Sequence, residues 1–331
     1  MKKLFLPVIA MALVLGGCAS VGGGTAKSRL ETHKLDAMDG KKEVYIGSLG
    51  VTFVTEDSSS SKATSPMIRH GGSDYAKAHL RAKLSGVPET TMQAITDQVY
   101  ADLVSKLQAQ GYTVRNYADL SKNKRWNKID KLESPYLPTG MSAFRGGLNK
   151  DWPTYSPTGM DLIYAQKIAN TFAIGEVADE IGVPVLAANY TVHFAYFDDD
   201  ADYKVEYGKG ALGQDRRTLS ASVALGQGIQ VTSGSGLYFA NEGAGSFADN
   251  GYIRLKDPII VAGAYGENED TTSGATKAAN AFSSLLGMVS GRSSSTTEIT
   301  VNAVPEYYQE GALKVLTAAN ERIVNKLAVE K

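Results

Sequence analysis

The chain has 331 residues, 43% of them hydrophobic, and a formal net charge of −1 at pH 7. This is the composition of a folded globular protein, and the balanced charge argues against nucleic-acid binding, because neutralising phosphates requires a basic surface. The one cysteine, Cys18, excludes a disulfide within the chain.

Residues 1–18 have the pattern of a lipoprotein signal sequence. Lys2 and Lys3 form a positive start, residues 4–15 are apolar, and two glycines lead into Cys18. The apolar run is shorter than the ~20 residues that a membrane-spanning helix needs. We therefore predict that residues 1–17 are a signal peptide and that Cys18 is lipidated.

The residues after Cys18 predict the location of the protein. Alanine rather than aspartate follows Cys18, which resembles lipoproteins sorted to the outer membrane, so we expect lipid attachment at the periplasmic face of that membrane. Residues 21–28 are small, polar and rich in glycine, which is typical of a flexible linker. We predict a lipidated anchor and tether over residues 18–40.

Residues 41–331 are predicted to form a single α/β domain that begins with a β-α-β unit. The alternation over residues 43–54 predicts a strand, and the serine tract at residues 58–61 predicts the loop after it. Apolar residues then recur at helical spacing from residue 88 to Gly111, followed by a strand at residues 112–117.

The second half of the domain is predicted to be a helix, a long strand, a β-rich region and a final helix. We interpret residues 121–159 as an excursion from the core, residues 160–182 as helical and residues 183–197 as the most regular strand. Residues 271–297 are predicted to be flexible, and Pro305 begins a C-terminal helix. Shorter strands are expected at residues 217–231, 236–240, 252–255, 258–264 and 297–304. The predicted fold is a mixed sheet with flanking helices.

Two segments carry a resemblance to known periplasmic proteins. They are Leu107-Gln108-Ala109-Gln110-Gly111-Tyr112-Thr113-Val114 and Ala178-Asp179-Glu180-Ile181-Gly182-Val183-Pro184-Val185-Leu186. Together with the lipoprotein signal sequence that ends at Cys18 and the predicted C-terminal helix, these segments resemble the α/β domain of the CsgG secretion lipoproteins, the TolB N-terminal domain, the LpoB activators and the FlgO-like lipoproteins. The resemblance covers residues 43–326, apart from the excursion, and implies proteins that assemble with themselves or dock on envelope machinery.

A CsgG-like pore would also need apolar membrane hairpins. Here the candidate hairpin after the long strand is interrupted by charged residues, and such charges cost ~2–4 kcal/mol each near the membrane midplane. We do not expect this chain alone to form a pore. The charged residues are Glu206, Lys209, Asp215, Arg216 and Arg217.

Several sequence signatures of catalysis are absent. The nucleophile elbow, the zinc helix motif, the phosphate loop and the dinucleotide fingerprint are all missing from the sequence. The run Asp198–Asp202 begins like a calcium loop, but Tyr203 replaces the turn glycine, which favours a charged strand end. His193 is predicted to have a packing role. We therefore expect no enzyme activity, no cofactor and no metal site.

Two segments are candidate partner contacts. Lys124 and Arg125 adjoin Trp126 in a basic aromatic cluster, which fits either a partner that is acidic or carries phosphate or glycan, or a solvated helix face. Phe282, Leu285 and Leu286 form an apolar island, which either folds onto the core or docks on another subunit.

These features predict a non-enzymatic outer-membrane lipoprotein that acts in the assembly or secretion of an envelope machine. Its partners would be the membrane, other envelope proteins and copies of itself. One alternative is a periplasmic activator or scaffold of cell-wall synthesis, or a glycan binder, that uses Trp126, Trp152 and Tyr155. A second alternative is a hydrolase, which would require Asp198 and Asp200 to converge on a cleft.

Overall fold

A computed structural model describes residues 29–69, 72–138, 152–163, 168–206, 216–241, 250–263, 265–273, 277 and 292–329. The predicted signal peptide, the lipidation site Cys18 and the apolar island at Phe282, Leu285 and Leu286 lie outside the described residues. Among the helices that the structure describes, none is long and apolar enough to cross a membrane.

The described chain is a mixed α/β protein with a C-terminal helix, as predicted. Its α-helices are α1 (Glu89–Ala109), α2 (Tyr117–Leu120), α3 (Ile168–Ile181) and α4 (Pro305–Val329). Short 3₁₀ turns occupy Leu35–Met38 and Trp126–Lys128. The described strands are β1 (Leu30–His33), β2 (Glu43–Val54), β3 (Glu56–Arg69), β4 (Gly72–Ser85), β5 (Thr113–Arg115), β6 (Thr154–Tyr155), β7 (Val185–Glu206), β8 (Arg216–Val231), β9 (Gly236–Ala240), β10 (Asn250–Leu255), β11 (Ile259–Ala262), β12 (Gly266–Asp270) and β13 (Arg292–Ala303).

The strands form two mixed sheets. The first sheet has the order β1-β10-β9-β7-β2-β5, with β8 added to β7, β11 to β8 and β6 to β2. Strand β2 runs parallel to both β5 and β7, whereas β7 runs antiparallel to β8 and β9. The second sheet has the order β12-β13-β4-β3, in which β13 runs parallel to β4.

Helices cover both faces of the first sheet. Helices α1 and α4 pack on one face and complete the main core with the apolar side chains of β2, β7, β9 and β10. Helix α3 and the turn at Trp126 form a smaller core on the other face. Because both faces are covered, β2 is buried from Val44 to Val54, as parallel strands usually are.

The domain begins earlier than the sequence predicts. Residues 29–40 were assigned to the tether, but Leu30–His33 form β1 and pair with β10. Leu35 and Met38 then enter the main core, with 7% and 2% of their surface exposed. The tether prediction is wrong over these residues, because a four-residue strand is too short to show a clear alternation.

Two predicted irregular segments also contribute to the sheets and cores. Trp126, Ile129 and Tyr155, all within the predicted excursion 121–159, are buried, and β6 from this segment pairs with β2. Residues 292–297, which were predicted to be flexible, belong to β13 and pair with β4. Pairing with strands that are distant in the sequence therefore gives regular structure to segments whose own sequence lacks a strong hydrophobic period.

The serine tract at residues 58–61 lies inside a strand rather than a loop. It forms part of β3, where Ser61, Ala63 and Ser65 point inward and are buried. The Ser61 hydroxyl donates a hydrogen bond of 2.6 Å to the carbonyl oxygen of Asp200 in β7. Serine is accepted here because its small side chain fits between two layers of strands and its hydroxyl has a partner.

A buried polar network ties α1 and α4 to the first sheet. Asn320 of α4 is fully buried and accepts a hydrogen bond from the Tyr190 hydroxyl of β7. Its amide nitrogen donates to the Val99 carbonyl at 3.1 Å and to Asp102 Oδ2 at 2.8 Å, both in α1. The Asn320 side chain thereby forms hydrogen bonds with groups on both β7 and α1.

Replacing Asn320 should therefore destabilise the fold strongly. In N320A the Tyr190 hydroxyl loses its partner while it stays buried, and we expect a loss of about 1–3 kcal/mol in the free energy of unfolding. Asn325→Ala, at an exposed position of the same helix, should change it by about 0.5 kcal/mol or less. Urea denaturation of both variants measures this, and equal midpoints would contradict the network.

Candidate interaction surfaces

The predicted contact residue Trp126 is part of the core. Its side chain is fully buried among apolar side chains of α3, β2 and β7, and its indole N–H donates a hydrogen bond of 3.4 Å to the Tyr117 hydroxyl. Gly47 makes room for the ring, since a Cβ atom there would lie 2.5 Å from Trp126 Cη2. Burial removes the indole from any surface that a partner contacts, so the interpretation of Trp126 as a contact residue is corrected.

The neighbouring cations stay at the surface, and Arg125 is neutralised within the chain. Lys124 and Arg125 are exposed, and the Arg125 guanidinium pairs with Glu176 at 2.6 Å and with Glu180 at 2.9 Å, both on α3. The other aromatic residues of the alternative contact surface are also engaged. Tyr155 is buried, and the Trp152 indole N–H donates a 2.8 Å hydrogen bond to the Glu56 carbonyl.

Substitution of Trp126 distinguishes a core residue from a surface contact. We expect W126A to lower the free energy of unfolding by about 3–5 kcal/mol, as for other fully buried aromatic residues. Lys124→Ala, two positions away and exposed, should change it by about 0.5 kcal/mol or less. Chemical denaturation followed by circular dichroism measures both, and near-native stability of W126A would contradict the assigned burial.

A long two-stranded ribbon extends from the first sheet. Strand β7 pairs with β2 as far as His193, and beyond that point its partner among the described residues is β8. We call the paired segments Ala195–Glu206 and Arg216–Gln227 the ribbon. The β3–β4 hairpin of the second sheet packs against it, with the Ser61 hydroxyl bonded to the Asp200 carbonyl.

His193 joins the two sheets where the ribbon begins. The pairing of β7 with β8 shifts register between His193 and Ala195, and the Ala195 N–H donates to His193 Nδ1 at 3.1 Å. Nδ1 is therefore the acceptor nitrogen, so Nε2 carries the proton and donates to Asp57 Oδ2 of β3 at 2.9 Å. His193 is buried in a packing role, as predicted from sequence, and also makes this specific link.

The Asp57 carboxylate should make the stability of this junction depend on pH. Burial raises its pKa, but hydrogen bonds from His193 and from the Ser58 N–H outweigh burial and leave the pKa below its ordinary value. A lowered folded-state pKa means that the carboxylate stabilises the fold above its unfolded pKa of about 3.9, and that this contribution is lost as pH falls through the folded pKa.

We therefore expect the free energy of unfolding to fall less between pH 6 and pH 3 in D57N than in the wild type. Urea midpoints at the two pH values measure the difference. Because other carboxylates titrate in the same range, the comparison is between the two proteins at each pH. An equal loss in both would contradict a stabilising role for the ionised Asp57.

The two edges of the ribbon differ in charge. Asp198, Asp199 and Asp200 are exposed along β7, whereas β8 carries no charged residue from Thr218 to Gln227. Along that part of β8, Leu219, Val223 and Leu225 are partly buried, and the alternate residues are exposed and small. Over the described residues, β8 has no strand on its other side until β11 pairs with its last four residues.

The clefts of the described chain are lined by groups that already bond to one another. A cleft of about 640 Å³ lies between residues 131–134 and residues 156–161. In it Lys131 and Asp161 form a 2.6 Å ion pair, and Gln93 donates to the Ser156 carbonyl at 2.9 Å. Within the described residues, no group of three or more His, Cys, Asp or Glu side chains is arranged to hold a metal ion.

Comparisons with protein-family models, with curated proteins and with solved structures find no match. The surfaces of this chain must therefore be interpreted from their own geometry. The most extensive feature that the sequence analysis missed is the β3–β4 hairpin. The alternation of Ala76, Ala78, Leu80, Ala82 and Leu84 with polar residues was the available signal.

Proposed function

We propose that this chain is a non-enzymatic outer-membrane lipoprotein that acts in the assembly or secretion of a cell-envelope machine by binding proteins, including copies of itself. A lipid on Cys18 would attach it to the periplasmic face of the membrane. The proposal includes the CsgG/TolB-N-like fold that the sequence resemblance implies, and the α/β architecture supports that part of it.

The observation that carries the proposal is the edge of β8, which is uncharged from Thr218 to Gln227 and, over the described residues, unpaired along that length. Backbone N–H and C=O groups along such an edge have no strand to pair with, so a strand of another chain can add to it. Soluble proteins commonly protect long edges with charged residues, and β8 carries none from Thr218 to Gln227.

The alternative of a glycan-binding scaffold loses its original support. Its contact residues Trp126 and Tyr155 are buried, and Trp152 is partly buried against the main core. Nor do Asp198 and Asp200 support the hydrolase alternative, since both lie exposed along one strand and do not line the cleft between residues 131–134 and 156–161. We therefore base the proposal on the ribbon.

The mass of the lipidated protein in mild detergent tests self-association. We expect light scattering coupled to size exclusion to give an assembly of several chains for the wild type. The variant Ser222→Lys/Ala224→Lys places lysines opposite Asp200 and Asp198 across the ribbon, so the fold is supported while the edge becomes charged. We expect this variant to be a monomer.

A control variant carries the same added charge on another surface. Ser105→Lys/Gln108→Lys changes two exposed positions of α1 and should keep the mass of the wild type. A monomeric wild-type protein would contradict self-association. If the Ser222→Lys/Ala224→Lys variant assembles like the wild type, the edge of β8 is not the contact between chains.

A further inference from the structure

The outer face of the second sheet has an uneven distribution of charge. Lys77, His79, Arg81 and Lys83 alternate along β4 and point away from the ribbon, because the residues between them are buried. Neighbouring residues on the same face are set by the strand register. They are Glu56, Ser58, Ser60 and Lys62 on β3, and Ser294, Thr296, Glu298 and Thr300 on β13.

Carboxylates occupy one end of this face. Arg81 lies between Glu56 at 3.7 Å and Glu298 at 3.6 Å, and Glu269 of β12 accepts a hydrogen bond from Asn302 on the same side. Arg81 is therefore neutralised within the sheet. Toward the turn that joins β3 to β4, the face has lysines and hydroxyls but, among the side chains that the structure describes, no carboxylate.

Lys62 and Lys77 stand directly opposite one another at that end. Two like charges in facing positions of an antiparallel pair destabilise it, because their Cβ atoms are only ~4.5–5.5 Å apart. Neither ammonium has a carboxylate within 4.0 Å in the described part of the chain, and Lys62 lies 5.0 Å from the centre of the Tyr75 ring.

Protection of a sheet edge does not explain both residues. Lysine on the edge strand β3 would discourage unwanted strand pairing, which accounts for Lys62. Lys77 lies on β4, which has β3 on one side and β13 on the other, so it protects no edge. A repulsive pair on an inner strand suggests that the two charges meet a bound anion.

We propose that Lys62 and Lys77 bind a phosphate group, together with the hydroxyls that flank them on β3. Two adjacent ammonium groups match the double negative charge of a phosphate monoester, and hydroxyl donors beside them suit its several acceptor oxygens. The flanking hydroxyls are those of Ser60 and Thr64. The phosphate could belong to a free anion or to a lipid headgroup, and the chemistry of recognition is the same.

Thermal unfolding of the lipidated full chain in nonionic detergent tests the site. The probes are inorganic phosphate at millimolar concentration, with sodium chloride at equal ionic strength as reference, and detergent micelles with or without phosphatidic acid, a lipid whose headgroup is a phosphate monoester. We expect at least one probe to raise the Tm of the wild type by about 2 °C or more. A response to phosphate assigns a free anion, and a response to the doped micelles alone assigns a headgroup.

Lys62→Thr/Lys77→Thr is the decisive variant. In chloride it should melt at or above the wild type, because the repulsion is gone, and its shift with the active probe should be lost. Lys62→Arg/Lys77→Arg should keep the shift. Phosphate also stabilises proteins by exclusion from their surface, and Lys124→Thr/Lys256→Thr, which removes two exposed lysines elsewhere, controls for that effect and for net charge.

The proposal is overturned if neither probe shifts the wild type, if the threonine variant keeps the wild-type shift, or if it melts below the wild type in chloride. If the Lys124→Thr/Lys256→Thr variant loses the Tm shift to the same extent as the Lys62→Thr/Lys77→Thr variant, the shift depends on net charge alone, and this result also overturns the site. The outcome is independent of self-association, since a monomeric protein that keeps the lysine-dependent shift would sink the proposed function alone.

Discussion

Strand β7 holds this structure together by changing partners along its length. Its first half lies between β2 and β9 in the first sheet, and its second half pairs with β8 in the ribbon. At the point of change, the Ala195 N–H loses its regular place in the ladder and bonds to the His193 ring instead. The other side of that ring reaches Asp57 on β3.

This arrangement means that the ribbon and the second sheet are not independent attachments. The β3–β4 hairpin follows β2 after a single residue, so its root is fixed by the core, and the His193–Asp57 and Ser61–Asp200 hydrogen bonds hold it against the ribbon. Small inward residues such as Ala63, Ala76 and Ala78 allow the two layers to approach closely. Both layers therefore present their outer faces to solvent or to partners in a fixed relation.

Segments with a strong local period could be predicted from the sequence. The strand at Glu43–Val54, helix α1 and the C-terminal helix match their predictions closely, because each buries one regular set of apolar residues. The short strand β1 and the pairing of β13 with β4 could not be read in the same way, because distant parts of the chain determine them.

The candidate surfaces were harder to predict than the fold. Trp126 looked exposed because the residues around it are cationic, yet α3 supplies both the carboxylates that pair with Arg125 and the apolar side chains that bury the indole. The β3–β4 hairpin was missed because the serine tract at residues 58–61 was interpreted as a loop, although alanine and leucine alternate regularly with polar residues along β4. Composition indicated a loop where periodicity indicated a strand.

If Cys18 carries a lipid as proposed, the position of β1 would limit how far the domain can stand from the membrane. Eleven residues, 19–29, separate Cys18 from Leu30, and a fully extended chain of that length spans at most about 40 Å. Because β1 is hydrogen-bonded to β10 at one edge of the first sheet, a lipid on Cys18 would hold that edge, rather than the domain as a whole, within this distance. The anchor would therefore restrict the rotation of the domain as well as its distance from the membrane. It would also limit which faces of neighbouring molecules can come into contact.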